Sequence, residues 1–473
     1  MLYFFACVAA LLLGYVIYGK TVDTVFGPDP NRPTPAHSMA DGVDYVEMSP
    51  RKIWLIQLLN IAGLGPIFGP ILGALYGPSA LIWIVIGCIF GGAVHDYFSG
   101  MLSLRHEGKS VPDVVGDQLG SFFRQFMRIF SIVLLLLVGV VFVLGPAKLL
   151  GNLSGWTAPV WVAVIFAYYF LATILPIQKI IGRIYPLFGA VLIFMAIGLT
   201  TALIVKGYHF FPQATLSNIH PKGLPLWPLM FITIACGAIS GFHATQSPLM
   251  ARCVGNEKHG RPLFYGAMIG EGVIALIWAT LGMSFYQGAD ALNAALAKGG
   301  PAFVVNDIST TLLGPAGGLL AIIGVVILPI SSGDTAFRSA RLIIADFLKL
   351  PQQQIGKRLL LAIPLFTIGF LISRADFGLI WRYFGWANQT LATVVLWAGA
   401  AYLIKQQKSH WIATLPAAFM TAVSVTYLAY AKIGFALSLP IATSLGFAAA
   451  LVSLLAFLLK FSSKKVEKMV AEN

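Results

Sequence analysis

The sequence predicts an all-α polytopic membrane protein of about thirteen transmembrane helices, with a five-plus-five inverted-repeat core containing broken helices. Three observations predict it. Of the 473 residues, 58% are hydrophobic and 10% charged, and mean hydropathy is +0.83; a soluble chain of this length needs far more polar surface. The 31 basic residues cluster in alternate inter-helix segments, as membrane topology requires. Two apolar segments carry glycine and proline near their centres, where a continuous membrane helix would not place them.

A span takes about 20 apolar residues, and thirteen segments qualify: 2–18, 54–77, 79–103, 128–150, 157–177, 184–205, 227–250, 262–286, 313–336, 358–373, 378–403, 411–430 and 437–459. The first turns apolar at Leu2 with no basic flank and no small-x-small cleavage site before Lys20, so a retained anchor is expected rather than a signal peptide. The polar inserts are 19–53, 104–127, 206–226, 287–312 and 337–357. Cys7, Cys88, Cys236 and Cys253 are scattered, with neither a disulfide framework nor paired metal-ligand spacing, and read as small apolar residues.

Charge sorting tests the spans. Twenty-four basic residues fall on one side, from Lys20 and Arg51 through Arg105, Lys179, Arg183, Arg252 and Arg338 to the lysines of 460–468. The other side holds seven: Lys148, Lys206, Lys222, Lys298, Arg374, Arg382 and Lys432. The positive-inside rule then places the N-terminus outside and the C-terminus in the cytoplasm, with an odd number of spans. The basic excess is topology, so nucleic acid drops out as a partner and the lipid bilayer takes its place.

The first broken segment, Asn60-Ile-Ala-Gly-Leu-Gly-Pro-Ile-Phe-Gly-Pro70, carries Gly63, Gly65, Pro66 and Gly69 at mid-span. Irregular backbone at membrane depth is tolerated only inside protein or against a watery cavity, and there its freed amides and carbonyls bind solute or ion. The second is Ala235-Cys-Gly-Ala-Ile-Ser-Gly-Phe-His-Ala-Thr-Gln-Ser-Pro248, with Gly237, Ser240, Gly241, His243 and Gln246. It lies five spans later and begins on the opposite side, which makes two inverted five-helix units. The expected division is 1–53 for an extra helix and polar loop, 54–205 for the first repeat and 206–226 for a connection. The second repeat takes 227–403, and 404–473 holds two peripheral helices and a basic tail.

Ionisable groups inside spans are costly and mark function or a structural polar network. His95, Asp96 and Ser99 lie in the third span, where they couple an ion or pin that helix to its broken neighbour. Ser331, Ser332, Asp334 and Thr335 follow the helix-kinking Pro329. Such oxygen ligands suit a hard cation, giving a candidate sodium site at Ser331 and Ser332, while one carboxylate suits sodium or a proton. By analogy with LeuT-like transporters, hydroxyls at this place join backbone carbonyls of the first broken helix around sodium. The bland alternative is that Asp334 merely pairs with Arg338 one turn on. Glu271, between glycines in the eighth span, is a further proton-carrying candidate. Trp386 and Asn388 are candidate gate residues, Trp386 otherwise being a belt aromatic.

The chain has no phosphate-binding loop, zinc-protease helix or nucleophile elbow, so it is expected to draw on gradients rather than ATP and not to be an enzyme. No cofactor is expected beyond a coupling proton or sodium ion.

Residues 60–70 with Gly77-Pro78, Gly91–Ser99 running on to Arg105 and Lys109-Ser-Val-Pro-Asp113, Gly241–Pro248, Asn256-Glu257, Phe264–Met268, Ser332–Arg338 and Phe384-Gly-Trp-Ala-Asn-Gln-Thr390 together resemble the carbon starvation protein A (CstA) family. The resemblance runs in order over about residues 50 to 400. It implies an inner-membrane importer related to the amino acid–polyamine–organocation superfamily, with members linked to peptide uptake and others to pyruvate–proton symport. The expected function is ion-gradient-coupled import of a pyruvate-like carboxylate or short peptides by alternating access. A peptide permease with little pyruvate transport and a non-transporting nutrient sensor are the alternatives; short cytoplasmic loops and the lack of a signalling domain weigh against the sensor. Nothing in the sequence marks an oligomeric state.

Overall fold

The computed structural model describes residues 1–42, 44–174, 177–212, 215–352 and 354–461, with the backbone alone between 173 and 186. The side chains of Lys179 and Arg183 and the tail lysines beyond Lys460, used in the charge sorting, lie outside the described residues.

Helices dominate. In order they are α1 (Leu2–Val16), α2 (Tyr18–Phe26), α3 (Pro35–Ser38), α4 (Pro50–Ile61), α5 (Gly65–Gly73), α6 (Ser79–Ile86), α7 (Ala93–Arg105), α8 (Val111–Leu119), α9 (Ser121–Ser154) and α10 (Ala158–Ile174). There follow α11 (Ile177–Val205), α12 (Leu226–Thr233), α13 (Gly241–Ala251), α14 (Gly266–Phe285), α15 (Ala289–Leu348), α16 (Ile355–Ile372), α17 (Phe377–Lys405), α18 (Trp411–Tyr430) and α19 (Leu439–Lys460). Among the described residues the only extended pairing is an isolated bridge between Met48 and Val254.

Ten helices among the described residues are long and apolar enough to cross a membrane, or eleven if α4 and the α5 segment to Tyr76, bent by 49° at the intervening residues, count as one broken span. The remaining two of the thirteen expected segments coincide with a shorter apolar helix, Ala158–Ala172, and with α12 and α13, each too short to cross alone. The termini follow local chemistry. Proline opens α4 and α8 within the first turn, where its missing N–H is not needed, and the Asp376 carboxylate accepts from Leu379 N–H at 2.9 Å to cap α17.

Several segments expected as polar inserts are helical. Residues 104–127 contain α8 and the start of α9, and all of 287–312 from Ala289 on belongs to α15, which is interrupted at Gly299, Gly300 and Gly314. The ninth span also runs past its expected end at 336 to Leu348. Arg338 stays inside because its Nη2 donates to the Ala172 carbonyl at 2.6 Å, so the helix continues without an unpaired guanidinium.

Burial separates core from rim. In α17 the most apolar window is 89% buried and in Glu257–Phe285 83%, against 17% in α19 and 22% in Leu2–Phe26. The low-burial helices turn Leu12, Ile17, Phe447, Leu451, Leu455 and Leu459 outward, as a lipid-facing surface demands.

Candidate functional site

The two breaks lie against each other. Between α4 and α5 the helix opens over Ala62–Leu64, and α5 restarts at Gly65-Pro66. Between α12 and α13 residues 234–240 are non-helical, and Gly237 takes φ +88°, a left-handed conformation that glycine enters without a Cβ penalty. A Cβ at Gly65 would collide with the Cys236 side chain, one at Gly69 would stand 2.9 Å from the Thr233 carbonyl, and Pro66 Cβ lies 3.9 Å from the Cβ position of Gly237. The glycines let the backbones approach this closely. Gly63 and Gly241 serve other contacts, facing Phe142 of α9 and the α17 backbone at Asn388.

Around the second break the structure gathers residues from three helices. A π-helical turn, Gly87–Gly92, leads into α7, and Gly92 packs on the Ala238 carbonyl. That contact brings Asp96, one turn on, to α13. The imidazoles of His95 and His243 both donate from Nδ1 to Asp96, to Oδ1 at 2.8 Å and to Oδ2 at 2.9 Å. The other ring nitrogen of His243 lies 3.4 Å from Glu271 Oε2 on α14. His95, Asp96, His243 and Glu271 are each 0% exposed, so this is a closed network rather than a solvated cluster. Ser99 Oγ donates to Ser247 Oγ at 3.1 Å and extends it along α13.

Asn388 belongs to the same break. Its Oδ1 accepts from Phe242 N–H at 2.6 Å and lies 3.2 Å from Ser240 Oγ, filling the start of α13. Gln246 is buried one turn further, with Nε2 donating to Thr245 Oγ1 at 2.9 Å. Trp386, by contrast, points to α18: its indole N–H donates to the Ser424 carbonyl at 3.2 Å and its ring meets Phe130 edge-on.

The α15 residues divide. Ser332 Oγ lies 3.1 Å from the Leu59 carbonyl in the last turn of α4 and 3.0 Å from the Leu328 carbonyl, which ties α15 to the first break. Ser331 donates to the Leu328 carbonyl at 2.8 Å and Thr335 to the Ser332 carbonyl at 2.9 Å. Asp334, two residues beyond Ser332, turns to other neighbours: Oδ1 lies 3.8 Å from Arg338 Nη2, which reaches the α10 carbonyl of Ala172. Asn60, in the last turn of α4, is buried as well.

Two features escaped the sequence reading. Cys236 is not apolar filler: Sγ lies 3.4 Å from Ser240 Oγ and 3.6 Å from Asn388 Nδ2, beside His243 and Glu271. Its only trace in the sequence was a position seven residues before His243, which means nothing until the break folds the two together. The other is an ionic knot on the side rich in basic residues. Arg105 Nη2 donates to Glu257 Oε2 at 2.8 Å and to the Gly27 carbonyl at 2.8 Å, and Arg105 also bonds the Tyr402 hydroxyl. Asp29 N–H donates to the same Glu257 oxygen at 2.8 Å, so the 19–53 segment is fastened across this end.

The sequence profile of the family described as carbon starvation protein CstA matches residues 1–158, 147–312 and 287–427. An uncharacterized membrane protein of Haemophilus influenzae is 51% identical over 63% of the chain and 95% of its own length. The peptide transporter CstA of Bacillus subtilis is 28% identical over 90% of the chain and 89% of its own. The pyruvate/proton symporter BtsT of Escherichia coli is 28% identical over 58% and 47% respectively. Two solved folds are similar. The nucleobase-cation-symport-1 family transporter MHP1 has a TM-score of 0.53 at 14% identity, with 89% of this chain and 94% of that chain covered. A manganese transporter of Eremococcus coleocola has a TM-score of 0.56 at 12% identity, with 90% and 98% covered.

Proposed function

The chain belongs to the carbon starvation protein CstA family, and on that premise we propose that it is an ion-gradient-coupled secondary importer of a pyruvate-like carboxylate or short peptides in the bacterial inner membrane. The observation that carries the mechanism is the face-to-face packing of the two breaks, with Gly65 against Cys236 and Pro66 against Gly237. Solute is held between them, and alternating access comes from rocking the elements that carry one break against those that carry the other. The relatives named for peptide and for pyruvate transport supply the two solute classes.

The carboxylate end of either solute suits the start of α13, whose helix dipole and free amides favour an anion. Asn388 Oδ1 now accepts the Phe242 N–H there; an incoming carboxylate oxygen takes over that bond, which gives Asn388 the gate role and leaves Trp386 a packing residue against α18. The coupling cation, sodium or a proton, is held where α15 meets α4. Ser331, Ser332 and the Leu59 carbonyl offer oxygen ligands for sodium, and Asp334 offers a carboxylate on the neighbouring face for a proton. His95, Asp96 and Glu271 stand buried at the second break and are the second set of candidate ion-coupling residues.

The proposed five-plus-five plan, with 54–205 and 227–403 as inverted repeats, is supported by the odd spacing of five spans between the broken segments, and a cytoplasmic C-terminus by the sorting of the basic residues. Uptake into proteoliposomes tests the whole reading. Pyruvate or a dipeptide should accumulate under an imposed inward proton or sodium gradient, and binding without accumulation would return the chain to the sensor alternative.

A further inference from the structure

At the second break three donors of different chemistry meet. Cys236 Sγ, a His243 ring nitrogen and a Glu271 carboxylate oxygen all lie within 4.8 Å of one another, and all three residues are buried. They come from separate stretches: the non-helical residues before α13, the first turn of α13, and α14.

Three further observations point to a ligand. Among the described residues, His243 Nε2 and both Glu271 oxygens lack a well-aligned hydrogen bond, with the Gly237 amide and the Cys236 thiol beside them, although both residues are 0% exposed, and buried polar atoms are ordinarily satisfied. The 3.4 Å between Nε2 and Oε2 is the separation that two ligands about 2.1 Å from a tetrahedral ion would have, ~3.4 Å. The third is the Nδ1 hydrogen bond of His243 to Asp96 Oδ2 at 2.9 Å. A carboxylate behind an imidazole in this way keeps the proton on Nδ1 and leaves the Nε2 lone pair for a metal.

We propose that Cys236, His243 and Glu271 bind one divalent transition-metal ion of the zinc class, with Asp96 as the orienting carboxylate and a fourth position open to water or solute. Sulfur, nitrogen and a single carboxylate suit a borderline ion such as Zn2+ or Co2+; calcium and magnesium take oxygen ligands only. Cys236 and His243 flank the left-handed Gly237 while Glu271 sits on α14, so the ion clasps the break to its neighbour. Binding to the folded state alone then stabilises it.

The test uses the full chain purified in detergent micelles, stripped with a chelator and titrated with Co2+. The expected result is one Co2+ per chain, with a near-ultraviolet sulfur-to-cobalt band and visible bands of tetrahedral intensity, all bleached by Zn2+. Cys236→Ser should remove the ultraviolet band and Cys253→Ser should keep it, while Asp96→Asn weakens binding roughly 10–100-fold. Failure to take up Co2+, or a sulfur band that survives Cys236→Ser, overturns the site. A second measurement guards against misfolded variants: Zn2+ should raise the melting temperature of the wild type and leave that of Cys236→Ser unchanged, and no rise in the wild type also overturns it. No solute enters either assay, so a failure here is distinct from a failure of transport.

Discussion

Ser332 Oγ lies 3.1 Å from the carbonyl oxygen of Leu59, joining α15 to the last turn before the first break. On the proposed reading, a hydroxyl beside a carbonyl that has lost its helical partner supplies two of the oxygen ligands a sodium ion would need. Ser332→Ala removes one ligand and leaves the rest of the helix unchanged. If sodium couples transport, the sodium concentration for half-maximal uptake should rise about tenfold, a loss of about 1.4 kcal/mol. Sodium titration of the initial uptake rate checks this, and an unchanged midpoint would move the ion away from Leu59.

Asp334 makes a different prediction because it faces Arg338 at 3.8 Å rather than the serines, and among the described residues its Oδ1 has no hydrogen bond. An amide at this position keeps the size of the side chain and loses its ability to carry a proton. Asp334→Asn should abolish accumulation driven by an imposed pH gradient while membrane insertion and solute exchange at equilibrium persist. Uptake and counterflow measured on the same vesicles separate the two. If the pair with Arg338 is only structural, the variant should lose folded protein and pH-driven uptake in equal proportion.

These residues also show what was legible in the sequence. Glycine and proline at residues 63–70 mark the first break because their effect on a helix is local, and the same holds for Gly237. Asp96, His243 and Glu271 could each be singled out, since a charged group in an apolar span is conspicuous alone. Their meeting could not be read, because it depends on the π-turn at Gly87–Gly92 and on Gly92 resting on Ala238. Cys236 was misjudged for the same reason: its neighbours come from another helix and from across the break. Arg338 and Arg341 seemed to end the ninth span, yet both are 4% exposed within α15, Arg338 being accommodated by a carbonyl on α10.

Gly65 offers a steric test of the facing breaks. A Cβ there would run into Cys236, and overpacking a close backbone contact costs about 1–3 kcal/mol. Gly65→Ala should slow uptake by about tenfold or more, and Gly65→Leu should stop it, with protein still recovered in the membrane. Initial rates of solute uptake by the two variants check the order. A fully active leucine variant would mean that the breaks separate during transport and that solute does not need them in contact.

Arg105 and Glu257 tie α7, the loop after α13 and the 19–53 segment into one closure, with side-chain exposures of only 7% and 1%. Removing Glu257 leaves the buried Arg105 without its carboxylate, at a cost of about 3 kcal/mol, whereas Glu257 without Arg105 keeps Arg32 Nε at 3.8 Å. The closure must open on each cycle if this end is an exit for solute, so its strength sets how often the exit opens. Arg105→Glu and Glu257→Arg should each impair uptake at least tenfold by placing like charges together. The double exchange restores opposite charges and should recover a substantial part of the rate, although the Gly27 carbonyl and Tyr402 hydroxyl lose their donor. Uptake rates of the wild type, both single variants and the double variant form a cycle whose coupling energy is the measurement. A double variant no better than the singles would show that Arg105 acts through Gly27 and Tyr402 and that Glu257 serves mainly to hold Asp29.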